Sequence, residues 1–152
     1  MSNRVRALGL DLGERRIGVA ISDSDGLLAL PLCTIERSGD TSSDHAEIVR
    51  IVQERGVSVV VVGLPLALSG HMGPAAVAAR DESRVLSGEL GPSGVDVVTH
   101  DERLTTVEAD RALSAAGKRS RTRRQVVDQT AAAVILQAWL ATRRREGSTA
   151  RG

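Results

Sequence analysis

The segment Val5–Asp23, VRALGLDLGERRIGVAISD, decides the fold. Its stretches Val5–Leu12 and Arg16–Ser22 read as strands, and Gly13, Glu14 and Arg15 between them predict a hairpin. Side chains alternate along a strand, so Val5, Ala7 and Gly9 share a face with Asp11. That face stays small or apolar until it ends on a carboxylate.

Outward from the hairpin, Leu27–Ile35 supplies a third strand, in which Pro31 predicts a bulge or an edge position. Asp44 followed by Glu47 reads as a capping box opening an amphipathic helix to about Arg55. Val57–Val62, β-branched apart from Ser58, reads as a parallel strand buried on both faces. A loop over Gly63–Gly73 follows, then a helix from Pro74 to about Ser87. Val95–Thr99 is a fifth strand. Thr105 with Glu108 forms a second capping box, for a helix to about Ala116, and Gly117–Arg124 is a basic loop. A long helix runs from Gln125 to about Arg144. The order β-β-β-α-β-α-β-α-α predicts an α/β fold: a mixed five-stranded sheet flanked by helices. One domain is expected over 1–145, with a disordered tail over 146–152.

Composition narrows the function. Among 152 residues there is no Phe or Tyr and one Trp, Trp139, so modules that stack bases on aromatic platforms are a poor fit. Cys33 is the single cysteine, which rules out an intrachain disulfide and thiolate metal clusters. The N-terminus carries no apolar signal-peptide core, and the apolar stretch Val59–Leu68 is too short to span a membrane. A cytoplasmic protein without membrane contact is expected. Residues 1–100 carry 9 Lys/Arg against 13 Asp/Glu, a net −4, and residues 101–152 carry 11 against 6, a net +5. Lys118, Arg119, Arg121, Arg123 and Arg124 form a run without an acid, suited to a polyanion. Arg143–Arg145 fit a helix C-terminus better.

Several acids fall where strands or helices end, the usual location of sites in open α/β sheets. Asp11 ends the first strand, and Asp101 and Glu102 follow the fifth. Asp128 opens the last helix on the stripe of Ala132, Ile135 and Trp139, which points it inward. Singly, each has an ordinary structural role: a turn with Gly13, an ion pair with Arg103, a first-turn acid. Together they form a set of inward carboxylates, costly unless paired or bound to a cation. Mg²⁺ or Mn²⁺ suits such oxygen ligands, and a two-metal centre suits phosphodiester hydrolysis. Strand alternation lets only one of Asp101 and Glu102 face that cation easily.

The segments Leu8–Asp23, Val61–Leu66 with Gly73–Pro74, Asp101–Ala109 (DERLTTVEA) and Val127–Leu140 (VDQTAAAVILQAWL) resemble the YqgF/RuvX family of pre-16S rRNA nucleases, also described as Holliday junction resolvases. The four motifs occur in order and span nearly the whole chain. The resemblance implies a ribonuclease H-like, RuvC-like fold and a metal-dependent nuclease that matures the 5′ end of 16S rRNA. It implies Asp11, Glu102 and Asp128 as catalytic metal ligands, favouring Glu102 over Asp101, and Arg103 as a phosphate contact. Where the family often carries Asn and Asp after its Gly-Leu-Pro-Leu segment, this chain has Ala67-Leu68-Ser69-Gly70-His71. Backbone N–H groups and the helix start at Pro74 remain to hold phosphate there. His71 and His100 lie near the expected site without an assigned role.

Three other functions compete. A four-way DNA junction nuclease would use the same acids and need two active sites, hence a homodimer. Asp11-Leu12-Gly13 with Gly18 resembles the phosphate loop of actin-like ATPases, which need two such domains. A non-catalytic RNA-binding module would use only the 118–124 run, indifferent to metal.

Overall fold

Strand β1 (Ala7–Leu12) pairs antiparallel with β2 (Arg16–Ser22), in register from Leu8 opposite Ile21 to Leu12 opposite Ile17. The hairpin expected from the opening segment is therefore present. In this computed structural model residues 5–104 and 131–144 are described. β3 (Ala29–Glu36) lies antiparallel against β2, and its register shifts where Val19–Ala20 faces Pro31–Cys33. Pro31 thus occupies both settings open to a ring without an N–H, a bulge and an edge strand. β4 (Val59–Leu64) and β5 (Asp96–Asp101) run parallel to β1, giving the order β3-β2-β1-β4-β5.

The two faces of β1 and β4 carry different cores. Leu8, Leu10, Val60 and Val62 pack with Ile48, Ile51 and Val52 of α1 (Thr41–Arg55) and with Ala79, Leu86 and Leu90 of α2 (Pro74–Leu90). Ala7, Val59 and Val61 pack on the other face against Ala132, Ala133, Ile135, Leu136 and Leu140 of a helix over 131–144, here α3. The Val59–Val62 run is buried on both sides, as its unbroken β-branching predicts. Trp139, placed on the inward stripe by its spacing, is only half-buried; Arg143 stacks over its ring at 5.5 Å.

Several boundaries differ from the sequence reading: β1 starts at Ala7 rather than Val5, β3 covers Ala29–Glu36 rather than Leu27–Ile35, and β4 covers Val59–Leu64 rather than Val57–Val62. Helix α1 starts three residues before Asp44. Its N-cap is Asp40, whose side chain accepts from the Ser42 amide at 3.1 Å. Asp44 is buried in the first turn and accepts instead from the Ser38 amide and hydroxyl, at 3.0 and 2.9 Å. Two acids four apart compete to cap, and the one preceded by Gly39, at φ +90°, wins because the chain turns there. Helix α2 runs past Gly88 to Leu90, since Leu86 and Leu90 both reach the core and offset the roughly 1 kcal/mol cost of a helical glycine. β5 continues to Asp101 rather than Thr99, in parallel register with Leu64. The expected helix over 105–116, the basic loop, the start of the last helix and the 146–152 tail lie outside the described residues.

Close approach between α3 and the sheet fixes one position sharply. A Cβ on Gly9 would sit 2.7 Å from Leu136 Cβ and 2.9 Å from the Ala132 carbonyl oxygen, neither the end of a flexible side chain. Gly9→Ala is expected to cost about 2–3 kcal/mol by overpacking. In a chain of this size that lowers Tm by roughly 5–10 °C. A Gly9→Ala melting curve coincident with wild type would show that α3 sits less tightly than this.

Candidate active site

The alternation that buries Ala7 and Gly9 under α3 carries Asp11 to the end of the same face. Extending the β1–β4 register by one step beyond Leu10 and Val62 sets Asp11 level with Gly63. In β5, Val98 and His100 are level with Val61 and Gly63, so they share this face, and Asp101 turns to the other. Immediately beyond the strand the chain enters a short 3₁₀ turn, Glu102–Leu104, which returns Glu102 to the Gly63 side. A Cβ on Gly63 would lie 3.1 Å from Glu102 Oε2 and would fall on Ile135 Cδ1. The bare backbone of Gly63 is what lets the Glu102 carboxylate and α3 meet over the sheet.

Electrostatics follow this placement. Burial pushes the Glu102 carboxyl above its ordinary range, and the negative charges of Asp11 and then Asp101 push it further the same way. Asp11 and Glu102 therefore feel each other as like charges in a partly desolvated place, the condition that a bound cation relieves. Asp101 behaves oppositely. Arg103 donates from Nε at 3.0–3.1 Å and from Nη2 at 2.7 Å to its carboxylate, and from its backbone amide at 2.9 Å. Those bonds hold the Asp101 carboxyl below the usual range.

Arg103 also anchors the loop between β4 and α2. Its Nη1 donates to the Leu68 carbonyl at 3.2 Å, and it lies 3.4 Å from where a Gly70 Cβ would be. Gly70, at φ +89°, closes a turn by donating its amide to the Ala67 carbonyl at 2.8 Å, while the Ala67 amide donates to His71. Leu68 is 93% exposed at the tip. The loop that departs from the family pattern is thus held by its own backbone and by Arg103.

Of the acids expected from the sequence, Asp11 and Glu102 come together on one face and Asp101 does not. Asp128, and with it Lys118, Arg119, Arg121, Arg123 and Arg124, lies outside the described residues. Among the described residues no group of three His, Cys, Asp or Glu side chains is arranged to hold a metal. His71 is exposed in the loop. His100 is buried beside Gly63; burial lowers its pKa, and its Nε2 has no hydrogen-bond partner among the described residues. Gly63, expected from the sequence to open the 63–73 loop, lies inside β4 instead; an isolated glycine bounding a β-branched run signals a close approach. Gly63→Ala should displace Glu102 and the tip of Ile135, both of which can yield. The expected cost is about 1–2 kcal/mol of stability and roughly tenfold in turnover. Wild-type turnover in a folded Gly63→Ala protein would remove Gly63 from the site.

Comparison with known proteins places the chain in a family and a fold. The family model described as "RuvX: Holliday junction resolvase" matches residues 5–142. A protein of Mycobacteroides abscessus named "Putative pre-16S rRNA nuclease" is 46% identical over 145 residues, covering 95% of this chain and 86% of its own. A protein of the same name from Nocardia farcinica is 49% identical over 142 residues, covering 90% and 78%. Among solved structures, Thermus thermophilus RuvC in complex with a Holliday junction substrate superposes with a TM-score of 0.62 at 16% identity, over 91% of this chain and 96% of that one. The yeast mitochondrial Holliday junction resolvase Ydc2 gives 0.55 at 13% identity, over 90% and 78%. These likenesses establish the ribonuclease H-like, RuvC-like fold. With a sheet of that fold, two acids gathered at one end of it and a family match over nearly the whole length, the chain belongs to the RuvX family.

Proposed function

We propose that this protein is a metal-dependent nuclease that hydrolyses phosphodiester bonds in the 5′ region of pre-16S rRNA. The observation that carries the reading is the convergence of Asp11 and Glu102, far apart in sequence, on one face of the sheet with mutually unfavourable charge. Support for the substrate comes from the name shared by relatives 46–49% identical to this chain.

The donor set fits a hard divalent cation, Mg²⁺ or Mn²⁺. It consists of carboxylate oxygens, one of them partly desolvated, and the one thiol, Cys33, packs against the core on the other face of the sheet. Asp11 and Glu102 would hold the ion, with Asp128 as the third ligand. When bound, such an ion supplies Lewis-acid stabilisation of the phosphoryl charge and lowers the pKa of water at the site. The chain's own residues do the rest. Gly63 leaves room for the Glu102 carboxylate, and α3 closes the face against water through Ile135 and Leu136. Asp101 takes Arg103 out of competition for the site acids and directs its guanidinium to the 67–70 loop. The Nη hydrogens of Arg103 that point away from Asp101 and Leu68 serve a backbone phosphate in this reading. The run Lys118, Arg119, Arg121, Arg123 and Arg124 supplies the longer-range attraction for the polyanion.

The test sets three substrates side by side: labelled RNA spanning the mature 5′ end, a four-way DNA junction and duplex DNA. Each is incubated with Mg²⁺, with Mn²⁺ and with EDTA. Cleavage of the RNA alone, with metal only, is expected. Cutting of the junction in preference to RNA would replace the RNA reading by the resolvase one named by the family description. RNA retention without cleavage in either metal would reduce the protein to a binding module.

A further inference from the structure

A chain of charged side chains lies against the β1–β2 hairpin and takes no part in the chemistry above. On α2, Glu82 receives both terminal nitrogens of Arg37: Nη1 donates to Oε2 and Nη2 to Oε1, each at 2.9 Å. His45 of α1 brings Nε2 to 2.8 Å from the same Oε2, and its Nδ1 lies 3.5 Å from Glu89 Oε1. Arg37, the residue after β3, also reaches the other way. Its Nε donates to the Gly13 carbonyl and its backbone amide to the Arg15 carbonyl, both at 2.9 Å. One guanidinium is thus fixed at one end by a carboxylate shared between two helices and at the other by the backbone of the hairpin turn.

Its degree of burial sets this network apart from the surface pairs. His45 is 1% exposed, and the side chains of Glu82 and Arg37 are 14% and 17% exposed. Burial pushes the Glu82 carboxyl up. Hydrogen bonds from Arg37 and His45, with their charges, outweigh this and keep it below its ordinary range, so the anion persists at neutral pH. A buried ion pair is a costly way to gain stability and serves better to fix a geometry. What it fixes here is a tight turn: the Gly13 amide donates to the Arg16 carbonyl at 3.0 Å, and a Cβ on Gly13 would lie 2.7 Å from that oxygen. Gly13 stands two residues beyond Asp11, with Leu12, the last β1 residue, between them.

We infer that Arg37, aimed by Glu82 and His45, is a positioning residue for Asp11: by holding the Gly13 carbonyl it fixes the turn that presents this carboxylate at the end of the sheet. This deepens the nuclease reading and rests on it. The exposed Arg50–Glu47 and Arg50–Glu54 pairs on α1 have no link to the hairpin and serve as the control.

The experiment compares wild type with Arg37→Gln, Glu82→Gln and Arg50→Gln, well below their melting temperatures. Three quantities are read: Gly13 amide exchange by NMR, Mn²⁺ affinity by calorimetry, and kcat and KM on the RNA. In Arg37→Gln and Glu82→Gln, Gly13 exchange should quicken about tenfold, because losing or misaiming the Arg37 Nε bond to the Gly13 carbonyl, worth about 1 kcal/mol, lets the turn open more often. Mn²⁺ should bind several-fold more weakly. The kcat should fall roughly ten- to a hundredfold at saturating metal and RNA, with KM nearly unchanged. Arg50→Gln should match wild type throughout. Should Arg37→Gln fail to fold, Arg37→Lys, which keeps the cation and loses the fork, carries the same readouts. Unchanged Gly13 exchange and Mn²⁺ affinity in variants that merely melt earlier would overturn the proposal, leaving a structural tie between helices. A wild type that binds Mn²⁺ yet cleaves no RNA would sink the nuclease reading, while Gly13 exchange and Mn²⁺ affinity would still decide this one.

Discussion

Asp11→Asn should lose RNA cleavage by roughly 10³-fold or more, about 4 kcal/mol of transition-state stabilisation, while folding normally. Asparagine is nearly isosteric with aspartate, so β1 keeps its register and Gly13 its turn. The charge disappears, and with it the attraction for a cation. Because Asp11 raises the Glu102 pKa, the same substitution should ease the Glu102 carboxyl back toward its ordinary range. The folded state is therefore expected to be as stable as wild type or slightly more so, since a repulsion has been removed. Melting curves and single-turnover cleavage on the same samples check both halves. Cleavage within about tenfold of wild type would take Asp11 out of the centre.

The second large effect is a contrast between neighbours. Glu102→Gln should abolish cleavage to a similar extent as Asp11→Asn, whereas Asp101→Asn should leave most of it. Asp101 faces away from Asp11 and spends its carboxylate on Arg103, so its loss loosens the 67–70 loop rather than removing a ligand. A loss within roughly tenfold is expected for Asp101→Asn, with a rise in KM if the loop lines the RNA path. If Asp101→Asn proved the more damaging of the two, the face assignment at the end of β5 would be inverted.

That pair illustrates what can be read from sequence. Alternation alone said that only one of two adjacent acids can face a given side, and left open which. The outcome depends on the strand running to Asp101 and on the 3₁₀ turn that follows, and boundary residues are what local patterns determine least well. The hairpin, by contrast, was fully legible, because alternation and the Gly13 turn signal agree. The two-sided burial of Val59–Val62 was legible for the same reason: an unbroken β-branched run has no polar face to show water. The misplaced start of α1 arose where Asp40 and Asp44 both offer caps, a choice settled by the chain direction after Gly39. The Arg37–Glu82–His45 network was invisible, since its members lie as much as 45 residues apart and belong to elements that meet only in the folded chain. Nothing in the local pattern of any one of them distinguishes it from a solvated surface charge.

The shared-cation assignment is tested most directly by diffraction from Mn²⁺-soaked crystals, locating the ion by its anomalous signal. A peak about 2.0–2.3 Å from carboxylate oxygens of both Asp11 and Glu102 is the expected result. A peak held by other groups, or both carboxylates bare at saturating Mn²⁺, would contradict it.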